Sequence, residues 1–224
     1  MRILLVRHCE SAKNLREAFS SNADDEPLTD SANSTLDSWA RSLGNWVEDL
    51  GCKVSRVHCT ASRRSIETAA AIGRALAVPS IAYEKLRSPN VGALAGVTAR
   101  AAAGADPNFI EQLRLYRLGL FNARNFTVAD GRELQDDFER RVDACVDQIV
   151  SYTDEDLKVI VSHRAPITAI LLSVARRGYG YPANFSGYVA LDLGHVSLLE
   201  QTALGHWCIR GVNLSVEALH DDSR

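Results

Sequence analysis

Hydrophobic positions in this chain follow two alternating patterns, short apolar runs and longer repeats at helical spacing. The short runs predict strands at residues 3–6, 54–60, 80–83 and 157–161. Continuous apolar runs are typical of strands that a parallel sheet buries on both faces. Because stretches with helical spacing separate these strands, the pattern predicts an α/β sandwich.

The helical repeats have recognisable ends. Apolar residues recur at helical spacing from Leu36 to Leu50, after the polar start at Thr29-Asp30 and before Gly51, a residue typical of a helix end. Further helices are predicted at 62–76, after Asp106-Pro107, at 133–152 and after residue 163. The closing strands are predicted at 187–193, 196–199 and 206–209.

Polar residues whose side chains are able to take part in catalysis directly follow two of the predicted buried strands. Arg7 and His8 follow the first apolar run, and Ser162-His163 follow the run at 157–161. Ligands of open α/β sheets bind outside the carboxyl ends of the strands. We therefore expect Arg7, His8 and His163 to meet at one edge of the sheet.

Composition restricts the classes of function. The 224 residues include 46% hydrophobic and 24% charged residues with a net charge of −3, which is ordinary for a globular protein. The basic residues are scattered, so no nucleic-acid surface is expected. No apolar run approaches the length of a membrane span or of a signal-peptide core, and the five cysteines lack disulfide-like spacing. These features predict a cytosolic protein with reduced thiols.

These motifs resemble the histidine phosphatase superfamily, the phosphoglycerate mutase-like proteins. That family begins with an apolar strand and Arg-His-Gly-Glu, which here is Arg7-His8-Cys9-Glu10. Residues 27–30, 64–68, 161–163 and the closing strands match in the family's order, so the resemblance covers nearly the whole chain. It implies a three-layer α/β/α sandwich whose mostly parallel sheet has one antiparallel strand. We expect a single domain, 1–224, with a helical excursion at about 95–131 covering the pocket.

The resemblance also implies a phosphate pocket made of Arg7, His8, Arg64 and His163. Arginine forks match phosphate oxygens, a neutral imidazole attacks phosphorus, and a second imidazole stabilises the oxyanion. The predicted activity is a metal-independent phosphomonoesterase that acts on a small-molecule phosphate through a phosphohistidine on His8. No cofactor is expected, and the chain shows no metal-ligand spacing.

Four more residues are predicted to contact substrate. Asn14 matches a family position that reaches phosphate, Ser11 either orients the pocket or caps a helix, and His195 lies near the expected rim. Arg164 replaces a glycine that often follows the second histidine. If the strand continues extended past His163, Arg164 points away from it, towards a second anionic group or the pocket mouth.

Two other departures from the family concern the pocket. Cys9 replaces the glycine at which the backbone approaches phosphate. Ser88 stands where the family has its general-acid glutamate, and serine cannot protonate a leaving alkoxide at neutral pH. The sequence leaves five substitute carboxyl groups open: Glu84, Asp130, Glu133, Asp136 and Asp137. Glu133 is otherwise expected to serve as a negative charge at a helix N-terminus.

Alternative functions follow from these departures. A cysteine-based phosphatase needs Cys-x5-Arg, but Leu15 and Ser65 stand at the arginine position after Cys9 and Cys59. A phospholigand-binding pseudoenzyme would have kept the pocket and lost the acid. A mutase is disfavoured because it also uses that acid. The sequence leaves the substrate and the oligomeric state open, and a homodimer is compatible with it.

Overall fold

The computed structural model describes residues 1–19, 26–126, 131–182 and 184–221. Its strands are β1 (Arg2–Arg7), β2 (Val57–Thr60), β3 (Ser80–Tyr83), β4 (Leu157–Ser162), β5 (Val196–Gln201) and β6 (Trp207–Leu214). Its α-helices are α1 (Ala12–Arg16), α2 (Asp30–Asp49), α3 (Arg63–Ala75), α4 (Ala99–Ala105), α5 (Pro107–Arg117), α6 (Gln135–Val150), α7 (Arg164–Tyr179) and α8 (Val216–Asp221). Within the described ranges, none of the helices combines the length and the apolarity that crossing a membrane requires.

The six strands form one sheet in the order β3-β2-β4-β1-β5-β6. Strands β3, β2, β4 and β1 pair in parallel, whereas β5 is antiparallel to both of its neighbours. Strand β5 is therefore the one strand that runs against the others, which confirms the prediction of a mostly parallel sheet. Strands β1 and β4 are direct neighbours, and Arg7 is paired with Ser162 in their register.

Helices cover both faces of the sheet and complete the three layers. On one face, Ile3, Leu5 and Ile160 pack into a buried cluster with residues of α6 and α7. On the other face, Leu4 and Val6 pack with residues of α2, α3 and α8. Alternate residues of β1 thus enter opposite cores, which is why the strand is apolar at every position from Ile3 to Val6.

The ends of the second helix follow from local chemistry. The Thr29 hydroxyl accepts a hydrogen bond from the Ala32 amide at 3.1 Å, which satisfies a donor of the first turn. Helix α2 ends at Asp49, and Gly51 has a φ of 61°, the left-handed conformation expected of a glycine at that position. The α6 helix starts only at Gln135, so Glu133 lies outside it.

The prediction of a strand at residues 187–193 is wrong. This segment is an irregular part of the connection between α7 and β5. The two edges of β5 are already paired with β1 and β6, so no free edge remains beside it. Val189 and Leu191 are apolar because they pack individually against the core on the α6 and α7 face.

The described part of the predicted excursion, residues 95–126, contains α4, α5 and a short 3-10 turn at Ala123–Asn125. Its own small core includes Phe109, whose ring lies edge-on to Phe126 at 5.6 Å between centroids. Hydrogen bonds attach it to the connection before β5, including Tyr116 Oη to the Gly187 carbonyl at 2.6 Å and Asn122 Nδ2 to the Asn184 carbonyl at 3.1 Å. Its covering of the pocket stays a prediction.

Candidate active site

The two histidines predicted from the strand ends lie side by side. The His8 amide donates to the Ser162 carbonyl at 3.0 Å, which extends the pairing of β1 with β4 by one residue. The rings of His8 and His163 are 5.0 Å apart between centroids and nearly perpendicular. Both side chains are buried. Parallel pairing of two strands thus brings together residues that are 155 positions apart in the sequence.

A hydrogen bond orients the His8 ring. Its Nδ1 lies 2.7 Å from the Cys9 carbonyl oxygen, an acceptor, so Nδ1 carries the proton. Burial, followed by the positive charges of Arg64 and Arg7, holds the pKa of His8 well below its ordinary value. The imidazole is therefore neutral, and Nε2 keeps the lone pair that a nucleophile needs.

His163 is held in a similar state by a different partner. Its Nε2 lies 3.2 Å from the hydroxyl of Ser62, the residue before α3. Burial, with the neighbouring His8 and the charge of Arg64, holds the pKa of His163 well below its ordinary value. The pocket therefore has two neutral imidazoles at its base.

Arginines reach this pocket from two elements. Arg7 at the end of β1 donates through Nη1 to the Leu191 carbonyl, and burial, with repulsion by Arg164, lowers its pKa to about 10. Arg64 in the first turn of α3 is buried, whereas Arg63 is exposed and pairs with Glu67 at 2.8 Å. The structure therefore places Arg64, rather than Arg63, beside the histidines.

Lys13 is a pocket residue that the sequence interpretation missed. It lies in α1 and is 9% exposed, unusual for a lysine. Its positive charge contributes to the lowered pKa of both His8 and His163. The available signal was its position, because Lys13 lies in a short helix that follows the Arg7-His8 strand end within a few residues.

Ser11 and Asn14 form the N-terminal cap of α1 through hydrogen bonds with each other. The Asn14 Oδ1 atom accepts hydrogen bonds from the Ser11 amide at 3.0 Å and the Ser11 hydroxyl at 2.7 Å. Ser11 is fully buried and Asn14 is half-buried. The cap fixes the start of α1, and the Ala12 amide attaches it to the Pro27 carbonyl at 3.2 Å. Contact of Ser11 or Asn14 with substrate stays a prediction.

Cys9 fills space among helices. Its side chain packs against the buried cluster that contains Leu28, Leu36, Ala40 and Ala71. Burial raises the pKa of the Cys9 thiol to about 11. Cysteine nucleophiles need the opposite shift, so this environment argues against a cysteine-based phosphatase.

The two remaining predicted contacts belong to the residue before β5 and to the start of α7. His195 is half-buried, and its carbonyl accepts a hydrogen bond from the Arg7 amide at 3.0 Å. Helix α7 begins at Arg164 itself, with His163 as its N-cap. The strand therefore does not continue extended past His163, and the condition under which Arg164 was expected to point away from His163 is not met. Its Nη1 donates to the Tyr188 hydroxyl at 2.8 Å, and its guanidinium carbon lies 5.2 Å from the centre of that ring.

The segment that contains Ser88 is tied to the carboxyl edge of the sheet. Hydroxyls of Thr60 and Ser162, at the ends of β2 and β4, donate to the Leu86 carbonyl at 2.9 and 3.1 Å. Arg141 then donates to the Ser88 carbonyl at 3.2 Å. Ser88 therefore lies two residues after a carbonyl group that is fixed at the same edge of the sheet as the histidines. The side chain at position 88 has no carboxyl group.

Each candidate for a substitute general acid that lies among the described residues forms an ion pair with an arginine. The pairs are Glu84 with Arg87, Glu133 with Arg141, Asp136 with Arg124, and Asp137 with Arg140. The expected helix-terminal role of Glu133 is wrong, because its carboxylate instead joins Arg141 of α6 to the Asn90 amide at 3.2 Å. Asp130 lies outside the described residues.

Comparison with known proteins gives one family match and several structural neighbours. The model of the histidine phosphatase superfamily (branch 1) matches residues 3–214. A search of curated proteins finds no match.

Three solved structures resemble the chain over almost its full length. YhfR of Bacillus stearothermophilus is 20% identical, with a TM-score of 0.73 over 94% of this chain and 95% of that one. The mycobacterial glucosyl-3-phosphoglycerate phosphatase Rv2419c with inorganic phosphate is 18% identical, with a TM-score of 0.75 over 96% and 98%. The alpha-ribazole phosphatase from Shigella flexneri is 21% identical, with a TM-score of 0.71 over 96% and 97%. At these identities the likeness establishes the fold.

The environment of His8 predicts its protonation state. We expect ¹⁵N NMR of the ring to show a neutral, Nδ1-protonated imidazole throughout a titration from pH 8 to pH 6, with the His8→Ala variant providing the assignment. Burial and nearby cations are the cause, since both disfavour the charged form. A protonation midpoint at or above the ordinary value of 6.5 would contradict this description of the site.

Proposed function

The chain belongs to the histidine phosphatase superfamily and is a phosphatase of that family, and on this premise we propose that it hydrolyses phosphate monoesters of small molecules through a phosphohistidine on His8. The observation that supports this most directly is the neutral His8 ring, oriented by the Cys9 carbonyl and surrounded by cations. We also propose a cytosolic location, which the five free cysteines support.

The proposed reaction has two displacements at phosphorus. In the first, Nε2 of His8 forms a bond to phosphorus while the bond from phosphorus to the ester oxygen breaks. In the second, water attacks the phosphohistidine, which releases inorganic phosphate and restores the neutral ring. Arg7, Arg64 and Lys13 supply positive charge to the phosphoryl oxygens, and His163 donates a hydrogen bond to them.

Substrate contacts in this proposal come from both sides of the histidines. Ser11 and Asn14 belong to the α1 side, and Arg164 and His195 belong to the opposite side. Two of the similar structures are named as a glucosyl-3-phosphoglycerate phosphatase and as an alpha-ribazole phosphatase. Those names support a small organic phosphate as the substrate class.

Replacing the proposed nucleophile tests the proposal. We expect His8→Ala to reduce turnover of a panel of phosphate esters by at least about 10³-fold, because no other group then forms the covalent intermediate. His206→Ala is the matched control, since His206 is exposed and belongs to the hairpin between β5 and β6. Circular dichroism and thermal unfolding establish that both variants fold.

Unchanged turnover in His8→Ala would refute the assignment. Quenching in alkaline denaturant distinguishes the chemistry further, because phosphohistidine survives alkali but is lost in acid, whereas acyl phosphate is lost in alkali. A wild-type protein that binds phosphate esters without turnover would favour the phospholigand-binding alternative.

Activity is expected to survive chelation of metal ions. The proposed pocket supplies its positive charge from arginine and lysine side chains. Across the described residues, no group of three or more histidine, cysteine or acidic side chains is placed to hold a metal ion. We expect turnover after EDTA treatment and gel filtration to remain within twofold of the untreated value. Loss of activity that a divalent ion restores would contradict the metal-independent mechanism.

The serine at position 88 predicts a dependence on the leaving group. A positioned general acid contributes about 10²–10⁴-fold in rate, mostly for basic leaving oxygens. We therefore expect acyl, enol and aryl phosphates to be turned over much faster than alkyl phosphates, with a steep negative slope of log kcat/KM against leaving-group pKa. Ser88→Glu should flatten that slope and accelerate alkyl esters most.

Ser38→Glu provides the control, because it adds the same charge on the exposed surface of α2. A flat slope in the wild type, with fast alkyl ester hydrolysis, would mean that another acid acts. Replacing Glu84, Asp130, Glu133, Asp136 and Asp137 one at a time would then identify it.

A further inference from the structure

Helix α3, together with the residue before it, carries a row of buried hydroxyl groups. Ser62, Ser65 and Thr68 are all buried, and their spacing of three residues places them on one face of the helix. The Ser62 hydroxyl lies 3.2 Å from Nε2 of His163. At the other end of the row, Thr68 Oγ1 accepts a hydrogen bond from the Cys9 amide at 3.2 Å. The same face of α3 therefore contacts both of the segments that carry a pocket histidine.

Ser62 occupies the N-cap position of α3 without using its hydroxyl as a cap. A serine at this position usually accepts a hydrogen bond from an amide of the first helical turn. The Thr29 side chain makes such a bond at the start of α2, whereas the structure, which describes every residue of α3, shows no cap hydrogen bond to the Ser62 side chain. The Ser62 hydroxyl instead bonds to the side chains of Ser65 and His163. Stabilisation of the helix end therefore does not account for this hydroxyl.

The direction of these hydrogen bonds assigns the ring proton of His163. A serine hydroxyl has a single hydrogen to donate and two lone pairs that accept. The Ser62 hydroxyl donates its hydrogen to Ser65 Oγ at 3.1 Å. The bond between Ser62 and His163 then runs the other way, from the Nε2–H group of the ring to Ser62 Oγ. In the neutral imidazole of His163, Nε2 therefore carries the proton.

His8 is held in the opposite tautomer. Its Nδ1 donates to the Cys9 carbonyl oxygen, so that its Nε2 keeps the lone pair. A nucleophile needs that lone pair, whereas a group that stabilises a phosphoryl oxygen needs a proton to donate. The two rings, 5.0 Å apart between centroids, thus hold their protons on different nitrogens, in the forms that their two proposed roles require.

We propose that Ser62 is a positioning residue of the reaction, which holds His163 as the Nε2-protonated imidazole so that this nitrogen donates to a phosphoryl oxygen. Ser65 contributes by accepting the hydrogen of Ser62, which leaves the Ser62 lone pairs to accept from the ring. The inference rests on the proposed function for the reaction in which His163 takes part. It deepens that function by assigning a cause to the difference between the two histidines.

NMR of protein with ¹⁵N-labelled histidine rings tests the tautomers directly, because protonated and unprotonated ring nitrogens differ in chemical shift. At pH 8 we expect Nε2–H for His163 and Nδ1–H for His8 in the wild type, with His163→Ala and His8→Ala providing the assignments. Ser62→Ala should convert His163 to a mixture of both tautomers and leave His8 unchanged. Ser65→Ala should raise the Nδ1–H form of His163, because the Ser62 hydroxyl then donates to Nε2.

Hydrolysis of an aryl phosphate connects the tautomer to the reaction. We expect Ser62→Ala to lower kcat by about 3- to 10-fold, the usual net contribution of one hydrogen bond, with KM within about twofold. Ser173→Ala is the matched control, because it removes a buried hydroxyl from α7 that bonds to Asp143 at 3.2 Å instead of to a histidine. It should keep the wild-type kcat and the wild-type tautomers. Thermal unfolding establishes that each variant folds.

Three results would overturn the inference. The first is an Nδ1-protonated His163 in the wild type. The second is a His163 tautomer that is unchanged in folded Ser62→Ala or Ser65→Ala. The third is a changed tautomer in Ser62→Ala with an unchanged kcat. The NMR measurement needs no turnover, and hydrolysis by wild type and His8→Ala tests the proposed function separately, so each claim can fail alone.

Discussion

The parallel pairing of β1 with β4 is the interaction on which the site depends. It places Arg7 opposite Ser162 and lets the His8 amide donate to the Ser162 carbonyl. Two histidines that follow these strands must then leave the sheet side by side. Burial keeps both rings neutral because the apolar layers and the neighbouring cations disfavour imidazolium. A shift of this register would separate the rings and also move Leu4 and Val6 out of their core.

Charged side chains are arranged differently at the two ends of the central strands. Near the amino ends, the Glu155 carboxylate lies 3.2 Å from Arg56, 3.4 Å from His58 and 3.9 Å from Lys158. That cluster contains its own counter-charge, which is consistent with a structural role. At the carboxyl ends, Arg7 and Arg164 form no ion pair within the described parts of the chain. Cations left in this state are suited to bind an anionic ligand.

Hydroxyl groups at the ends of β2 and β4 fix the position of the segment that follows β3. Thr60 and Ser162 both donate to the Leu86 carbonyl, so the chain after β3 is fixed at the same edge as the histidines. On the opposite side, Tyr116 and Tyr188 connect the excursion to Arg164. These contacts attach the segment after β3 and the connection before β5 to the rest of the fold. Their positions depend on single hydrogen bonds and aromatic contacts with the rigid sheet.

The sequence by itself determined the sheet and the residues at its strand ends. Apolar runs of β1 and β4 are local signals of double burial, and Arg7, His8 and His163 directly follow them. Helix boundaries such as Thr29 and Gly51 were equally predictable from the sequence, because capping depends on residues that are adjacent in the chain. The matching order of motifs along the chain also indicated the family.

Only the tertiary structure decided what surrounds those residues. Lys13 is buried although no apolar pattern in the sequence marks it, and the start of its helix is held by the Ala12 amide donating to the distant Pro27 carbonyl at 3.2 Å. Residues 187–193 have the composition of a strand, yet the edges of β5 are taken by β1 and β6. The direction of Arg164 likewise depended on α7 starting one residue after His163. Each of these features depends on contacts between segments that are distant in the sequence. The periodicity of apolar residues shows only which positions of one local segment are buried, so it does not predict such contacts.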